Sequence, residues 1–279
     1  MLLRAPAKLN LCLYLGGRRE DGLHELCSLF EPLELADLIA VSPAERDEVV
    51  CPGVEGENLA SKALSGLRER GWESEPLRVE IEKRVPVAAG LGGGSGDAAA
   101  ILRLAAGKVA DLPELAAELG ADVPSQLRPA LALVRGAGER VESLPEPAAH
   151  AAVLLPGGGG LSTAAVFAEA DRLGLGRDAE ELEDLAERLR EAAGAGASPL
   201  DYRDLLVNDL EPAALSLRPD IGKALEALRE AGAPIAILSG SGPTAVGLFA
   251  DLSAAEAAAA NLDSAEAIVC AAGHARLTS

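Results

Sequence analysis

Three features of this chain could act together on a phosphate group. The first is the run Pro86-Val87-Ala88-Ala89-Gly90-Leu91-Gly92-Gly93-Gly94-Ser95-Gly96-Asp97. It follows a strand-like stretch, 77–81, and precedes a helix-like stretch, 98–109, whose Ile101, Leu104, Ala105 and Val109 share one stripe. A glycine-rich turn entering a helix brings backbone N–H groups together with no side chains in the way. Those donors and the positive end of the helix dipole suit a phosphate. No Gly-Lys-Ser/Thr ends the loop, so it is not a Walker A motif, and its glycine register does not fit the dinucleotide fingerprint. Asp97 suits a helix N-terminus, yet beside a phosphate it needs a metal ion or a lysine to intervene. The second feature is Lys8, which with Asn10 interrupts an apolar stretch, 5–15. The third is Asp122, set after a helix closed by Gly120 and before Val123-Pro124. A phosphate cradle, a cation and a carboxylate that can orient or deprotonate a hydroxyl are the parts phosphoryl transfer requires. Singly, each has a plainer reading: a flexible connection, an edge lysine, a turn aspartate. His24, alone, reads as a hydrogen-bonded histidine.

The elements that must position these groups are mixed. Strands are expected at 5–15, 27–30, 37–41, 77–81, 151–155, 234–238, 245–249 and 267–271, with a hairpin over 130–142 turning at Gly136-Ala137-Gly138. Residues 16–22 read as an exposed loop, and 121–124 as a short connection. Helices are expected at 58–70, 98–109, 111–119, 163–173, 179–193, 221–231 and 253–262, the last with Ser253 and Glu256 spaced as a capping box. Ser239-Gly240-Ser241-Gly242-Pro243 joins two strands, and a strand-to-strand turn closely approached by another loop or a ligand explains its glycines. Strands and helices that mix without regular alternation favour an α+β arrangement over a doubly wound sheet. Pro145 and Pro147 place a domain boundary near the middle, giving domains 1–148 and 149–279.

Composition narrows the function classes. A net charge of −19 argues against a nucleic-acid partner, which needs a basic face, but leaves room for an anionic small substrate in a locally positive cleft. No apolar run approaches the roughly 18–20 residues of a membrane span, and the N-terminus lacks the layout of a secretory signal. Cys12, Cys27, Cys51 and Cys270 form no C-x-x-C pair, which fits reduced thiols in the cytoplasm better than a zinc site. With 2% aromatic residues, the core must be built from Leu, Val, Ile and Ala.

The same residues carry a resemblance. Pro6-Ala7-Lys8-Leu9-Asn10-Leu11, then Gly17-Arg18-Arg19-Glu20-Asp21-Gly22-Leu23-His24-Glu25-Leu26, resembles the opening of the 4-diphosphocytidyl-2-C-methyl-D-erythritol kinases, a family of the GHMP kinase superfamily. The loop 86–99, the segment Gly120-Ala121-Asp122-Val123-Pro124 and Ser239-Gly240-Ser241-Gly242 resemble that superfamily's later motifs. Smaller echoes are Glu57-Asn58-Leu59, Gly138-Glu139-Arg140 and Asn208-Asp209-Leu210-Glu211. The resemblance implies two α+β domains with the active site in the cleft between them. The implied reaction moves the γ-phosphate of ATP to the 2-hydroxyl of a cytidine-diphosphate-linked methylerythritol, on the non-mevalonate route to isoprenoid precursors. By the same resemblance Asp122 is the general base, and Lys8 holds it ionised while neutralising charge on the moving phosphoryl group. Asn10, Gly240 and Ser241 position the substrate, His24 reads the cytosine edge, and Phe167 and Leu23 pack on it. Asn58, Leu59 and Lys83 line the adenosine pocket. Pro86, Ala88, Ala89, Gly90, Leu91, Gly92, Gly93, Gly94 and Ser95 wrap the phosphates, with Mg2+ held mainly through ATP and no dedicated protein metal site. The implied protein is cytoplasmic, a monomer or weak homodimer, with no nucleic-acid or membrane partner. Three departures from the family pattern stand out: Leu23 replaces tyrosine, Gly96 replaces a second serine, and Ser125-Gln126 replaces aromatics. The altered glycine loop and Leu23 motivate the rival reading of a nucleotide binder that kept the fold and lost the chemistry. Retention of both Lys8 and Asp122 speaks against it, since a pure binder has no need of the pair.

Overall fold

The N-terminal strand is apolar on both faces, so it can be stable only at the centre of the molecule. The computed structural model describes residues 1–54, 58–264, 266–275 and 277, and Glu57 lies outside them. In it β1 (Leu2–Arg18) runs antiparallel to β2 (His24–Pro43), and β1 is buried from Ala5 to Leu15. The ladder shifts register between Pro6 and Lys8 and again between Asn10 and Cys12. Such bulges re-aim side chains, and here they bracket Lys8 and Asn10. Burying Leu9 and Leu11 contributes roughly 1.5–3 kcal/mol each, which offsets part of the cost of burying Lys8 and Asn10 beside them.

β2 is one 20-residue strand where the sequence predicts two, 27–30 and 37–41. Glu31, in the expected gap, and Asp37, at the start of the second expected strand, are both fully buried and paired: Glu31 with His150 at 3.1 Å, Asp37 with Lys83. β1 continues to Arg18 and so takes the first residues of the expected 16–22 loop, and residues 19–23 connect it to β2.

Around this pair come β3 (Glu48–Val50), not foreseen, β4 (Leu77–Glu82), the hairpin β5 (Ala132–Gly136) and β6 (Arg140–Ser143), and then β7 (His150–Leu155), β8 (Ile235–Leu238), β9 (Ala245–Phe249) and β10 (Ile268–Ala272). The order is β3-β4-β2-β10-β7-β9-β8, with β1 and β5 also on β2 and β6 on β5. Every named pairing except β3–β4 is antiparallel, as an α+β arrangement requires.

Helix α1 (Leu59–Glu69) is capped by Asn58, whose Oδ1 accepts from Ser61 N at 2.9 Å, a cap contributing about 1 kcal/mol. Helix α2 spans Gly93–Arg103 rather than 98–109. It starts inside the glycine run because small residues let it close onto β1: a Cβ on Gly96 would stand 2.9 Å from Pro6 O. Residues 104–110 form turns, so the expected stripe through Val109 is not a helix face. After α3 (Leu112–Leu119) the expected connection at 121–124 is instead part of a one-turn helix, α4 (Val123–Gln126), with Asp122 at its N-cap. Helices α5 (Thr163–Leu173) and α6 (Ala179–Ala193) stand where periodicity predicts them. A 3-10 turn, Pro199–Leu205, and α7 (Glu211–Leu217) were not signalled by it, and α8 (Asp220–Glu230) follows. In α9 (Leu252–Ala259) the cap is Asp251, which accepts from Ala254 N at 2.8 Å, not Ser253.

Among the described residues no helix is long and apolar enough to cross a membrane. Three cysteines are buried, and burial lifts their thiols, to about 11 for Cys27 and about 12 for Cys270, which makes them packing residues.

Candidate active site

The glycine loop closes one wall of a cavity of about 300 Å³ at the N-terminus of α2. Asn58, Leu59, Lys83, Pro86, Ala88, Ala89, Gly90, Leu91, Gly92, Gly93, Gly94 and Ser95 all line it. Val87 and Asp97 of the same run join them, as do Cys51 and Val54, which no motif announces. Gly92, at φ +66°, caps α2 with no side chain, which leaves the helix's first N–H groups for a ligand. A Cβ there would also stand 2.7 Å from Lys8 Cγ, so glycine is needed for the lysine to pass.

Lys83 does more than line this space. Its ammonium bridges Asp37 and Asp97, the latter at 2.8 Å, and Asp37 also accepts from Arg84 N at 2.6 Å and Val85 N at 2.8 Å. The lysine foreseen beside Asp97 is therefore Lys83, and the trio ties the strand end to α2. Burial opposes the Lys83 charge, but the two carboxylates outweigh it and hold the ammonium above the ordinary lysine range. Burial pushes Asp97 up to about 7 against the pull of Lys83, and the charge on Asp37 adds to the rise. Asp97 Oδ1 has no hydrogen-bond partner.

On the far side of Gly92, Lys8 Nζ stands 3.2 Å from Asp122 Oδ2 and donates to Asn10 Oδ1 at 2.6 Å. Lys8 is 6% exposed while the Asp122 side chain is 30% exposed, so the pair faces solvent through the carboxylate. Phe30 lies under the ammonium, 4.7 Å from Nζ to the ring centre. Asp122 makes no side-chain cap to its own helix, which leaves the carboxylate for Lys8. Arg103, unannounced by any motif, joins the two carriers: it donates to Gln126 O at the end of α4 at 2.7 Å and to Arg4 O on β1 at 3.0 Å. With no carboxylate beside it, burial lowers its guanidinium to about 10.

The 239–243 turn is closely approached by the glycine loop, as its glycines suggested. Ser239 Oγ donates to Gly90 O at 3.1 Å and accepts from Asn10 N at 3.3 Å, and Thr244 Oγ1 donates to Ala89 O at 2.6 Å. Gly240, at φ +57°, would place a Cβ 3.0 Å from Asn10 Oδ1. Asn208 Nδ2 holds this turn through Leu238 O at 2.8 Å and Gly240 O at 2.7 Å. Ser241 Oγ meets Thr163 Oγ1 at 2.9 Å.

A second cluster gathers His24 and Phe167, their ring centres 5.1 Å apart and tilted 39°. Asp171, which no motif flagged, accepts from His24 Nε2 at 2.7 Å. Leu23, beside it, is 55% exposed. Among the described residues no group of three or more His, Cys, Asp or Glu side chains could hold a metal ion. The hard oxygen donors on the cavity wall, Ser95 and Asp97, have the chemistry that Mg2+ accepts.

Comparison with known proteins gives the family and the fold. The family model of the GHMP kinases N-terminal domain matches residues 58–128, and that of the GHMP kinases C-terminal domain matches residues 182–268. The 4-diphosphocytidyl-2-C-methyl-D-erythritol kinase of Kineococcus radiotolerans is 40% identical over 93% of this chain and 85% of its own length. That of Streptomyces avermitilis is 39% identical over 92% of this chain and 90% of its own. A crystal structure of a 4-(cytidine 5'-diphospho)-2C-methyl-D-erythritol kinase superposes with a TM-score of 0.79, at 36% identity, over 98% of this chain and 100% of that one. Glycine loop, buried lysine and facing aspartate thus sit on a fold shared end to end with these enzymes, and the chain belongs to the 4-diphosphocytidyl-2-C-methyl-D-erythritol kinase family of the GHMP kinases.

Proposed function

We propose that this chain transfers the γ-phosphoryl group of ATP to the 2-hydroxyl of 4-diphosphocytidyl-2-C-methyl-D-erythritol, a step toward isoprenoid precursors. The observation that carries the reading is the Lys8–Asp122 pair, 3.2 Å apart, with Lys8 packed against Gly92 of the glycine-lined cavity. ATP lies in that cavity with its phosphates on the first N–H groups of α2. Ser95, the hydroxyl on the cavity wall, would help hold a Mg2+ bound mainly through ATP, which would supply neutralisation of the phosphate charge.

The substrate hydroxyl gives its proton to Asp122 as its oxygen attacks phosphorus, and the bond from phosphorus to the ADP oxygen breaks. The Lys8 ammonium has three N–H groups. Asn10 and Asp122 take two, and the third serves the oxygens of the transferring phosphoryl group. Because Asp171 takes the proton of His24 Nε2, Nδ1 is the nitrogen presented to the cytosine edge, and Phe167 supports the base by stacking. Leu23 packs on its rim, and Gly240 and Ser241 line the path of the methylerythritol. The chain divides into domains 1–148 and 149–279, works in the cytoplasm as a monomer or weak homodimer, and takes neither nucleic acid nor membrane as partner.

The test is a coupled ADP-release assay with purified protein, ATP, Mg2+ and the cytidyl substrate, with homoserine and mevalonate as controls. Release with the cytidyl compound alone is expected. Release with another alcohol would remove His24 and Phe167 from the substrate pocket. No release with any acceptor, despite ATP binding, would leave a nucleotide binder that has lost the chemistry.

A further inference from the structure

We propose that Ser28 is a positioning residue of the phosphoryl-transfer centre: it fixes which end of the Asn10 amide meets the Lys8 ammonium. Ser28 lies on β2 opposite Leu13, beside the bulge between Asn10 and Cys12, and is 0% exposed. Its hydroxyl donates to Cys12 O. A serine hydroxyl has one proton, so toward Asn10 it can act only as an acceptor. It accepts from Asn10 Nδ2 at 3.0 Å. The opposite end of that amide, Oδ1, must then face Lys8 Nζ, which it does at 2.6 Å.

The alternative orientation exchanges two hydrogen bonds for two repulsions. Asn10 Oδ1 would face the lone pairs of Ser28, and the Nδ2 hydrogens would face an ammonium. At a site this buried, neither clash has water to relieve it. The chain Cys12 O, Ser28, Asn10, Lys8, Asp122 is therefore directional, set by a main-chain carbonyl that the bulge turns toward Ser28. Nothing in the glycine motifs marks Ser28, because its work is done through another side chain.

This inference rests on Lys8 and Asp122 forming the catalytic pair, and its test has one arm that needs no catalysis. The variants Ser28→Thr and Ser28→Val have nearly the same size and differ in the hydroxyl, so packing effects cancel between them. Ser28→Ala is a third comparison, and thermal melts identify the folded proteins. In the substrate-free, nitrogen-15-labelled protein, the Asn10 side-chain amide is assigned by its loss in Asn10→Asp. It should keep its position and slow hydrogen exchange in Ser28→Thr, but shift and exchange about tenfold faster in Ser28→Val and Ser28→Ala. In the kinase assay, kcat should fall about tenfold in Val and Ala while the KM for ATP stays within about twofold, and Thr should restore kcat. An Asn10 amide unchanged in Ser28→Val would overturn the proposal, as would a shifted amide with parental kcat. A parent enzyme with no kinase activity would instead refute the proposed function, and the amide measurement would still decide what Ser28 does to Asn10.

Discussion

The two ends of the candidate site are built differently. At the phosphate end the ligand-facing groups are mostly backbone, and the side chains behind them are locked. Lys8, Asn10 and Asp97 are each less than 10% exposed, and Ser239 and Thr244 clamp the carbonyls of Gly90 and Ala89. At the end proposed for the nucleoside the groups are side chains at the start of β2 and on α5: His24 is 8% exposed and Phe167 meets it by one ring contact, but its hydrogen-bond partner Asp171 has a side chain 45% exposed and the neighbouring Leu23 is 55% exposed. Charge development in phosphoryl transfer rewards donors that need not reorganise. Recognition of a base needs only complementary edges and faces. The rigid end should therefore respond to substitution through kcat, and the open end through KM.

The largest effect tests that division at its centre. Asp122→Asn should lower kcat by about 10²–10⁴-fold while leaving ATP affinity within about twofold, measured by steady-state kinetics and by calorimetric titration of nucleotide. Near-parental turnover would remove Asp122 from the base role. Next comes Arg103, the strut between α4 and β1. Arg103→Lys cannot reach both carbonyls with its point charge. It should lower kcat by roughly tenfold and cost about 2–3 kcal/mol in chemical denaturation. Lost stability with unchanged kcat would make Arg103 a packing residue alone.

The trio at the α2 terminus makes a third test, with a defined sign. An Asp97 released by unfolding titrates near 3.8, whereas burial holds it up to about 7 in the fold. The folded chain thus binds the extra proton between these values, so stability falls as pH rises from about 4 to about 7 and is level above. Asp97→Asn cannot ionise. The loss of stability between pH 5 and pH 8, about 1–2 kcal/mol in the parent after allowing for coupling to Lys83 and Asp37, should shrink in that variant. Equal slopes in paired denaturation curves would show that Asp97 does not carry the dependence.

The same contrast explains what could be read from the sequence. The phosphate end was legible because its work is done by residue types in fixed local order. Glycines from 90 to 94 mark close backbone approach, and every residue assigned to ATP lines one cavity. What was not legible depends on partners far along the chain. Glu31 fell in the gap between the expected strands because its partner His150 lies 119 residues on, and nothing near Asp37 announces the lysine that pairs it 46 residues on. The start of α2 was missed because glycine is a poor helix former, and only the 2.9 Å approach of Pro6 O to a Cβ on Gly96 reveals why one must stand there. Arg103, Asp171 and Ser28 act through the positions of other groups, and no local spacing encodes that.

The open end predicts smaller effects, on KM. Asp171→Asn replaces the acceptor that holds the His24 Nε2 proton with an amide that can offer either a donor or an acceptor. Its effect should be about a fivefold rise in the KM for the cytidyl substrate with kcat nearly unchanged. A fall in kcat as large as that of Arg103→Lys would mean that the two ends are coupled more tightly than their exposures suggest. Smallest and most diagnostic is Leu23→Tyr. Leu23 already lies exposed beside His24, so a ring there has room and adds a face to the cytosine without displacing core. Aromatic contact beyond simple burial contributes about 0.5–1.5 kcal/mol, and ordering an exposed side chain takes back part of that. A two- to threefold lower KM, roughly, is the remainder, with ATP affinity and kcat unmoved. An unchanged or higher KM would mean that the nucleoside end is as finished in its leucine form as the phosphate end is in its glycines, and that its openness is not slack.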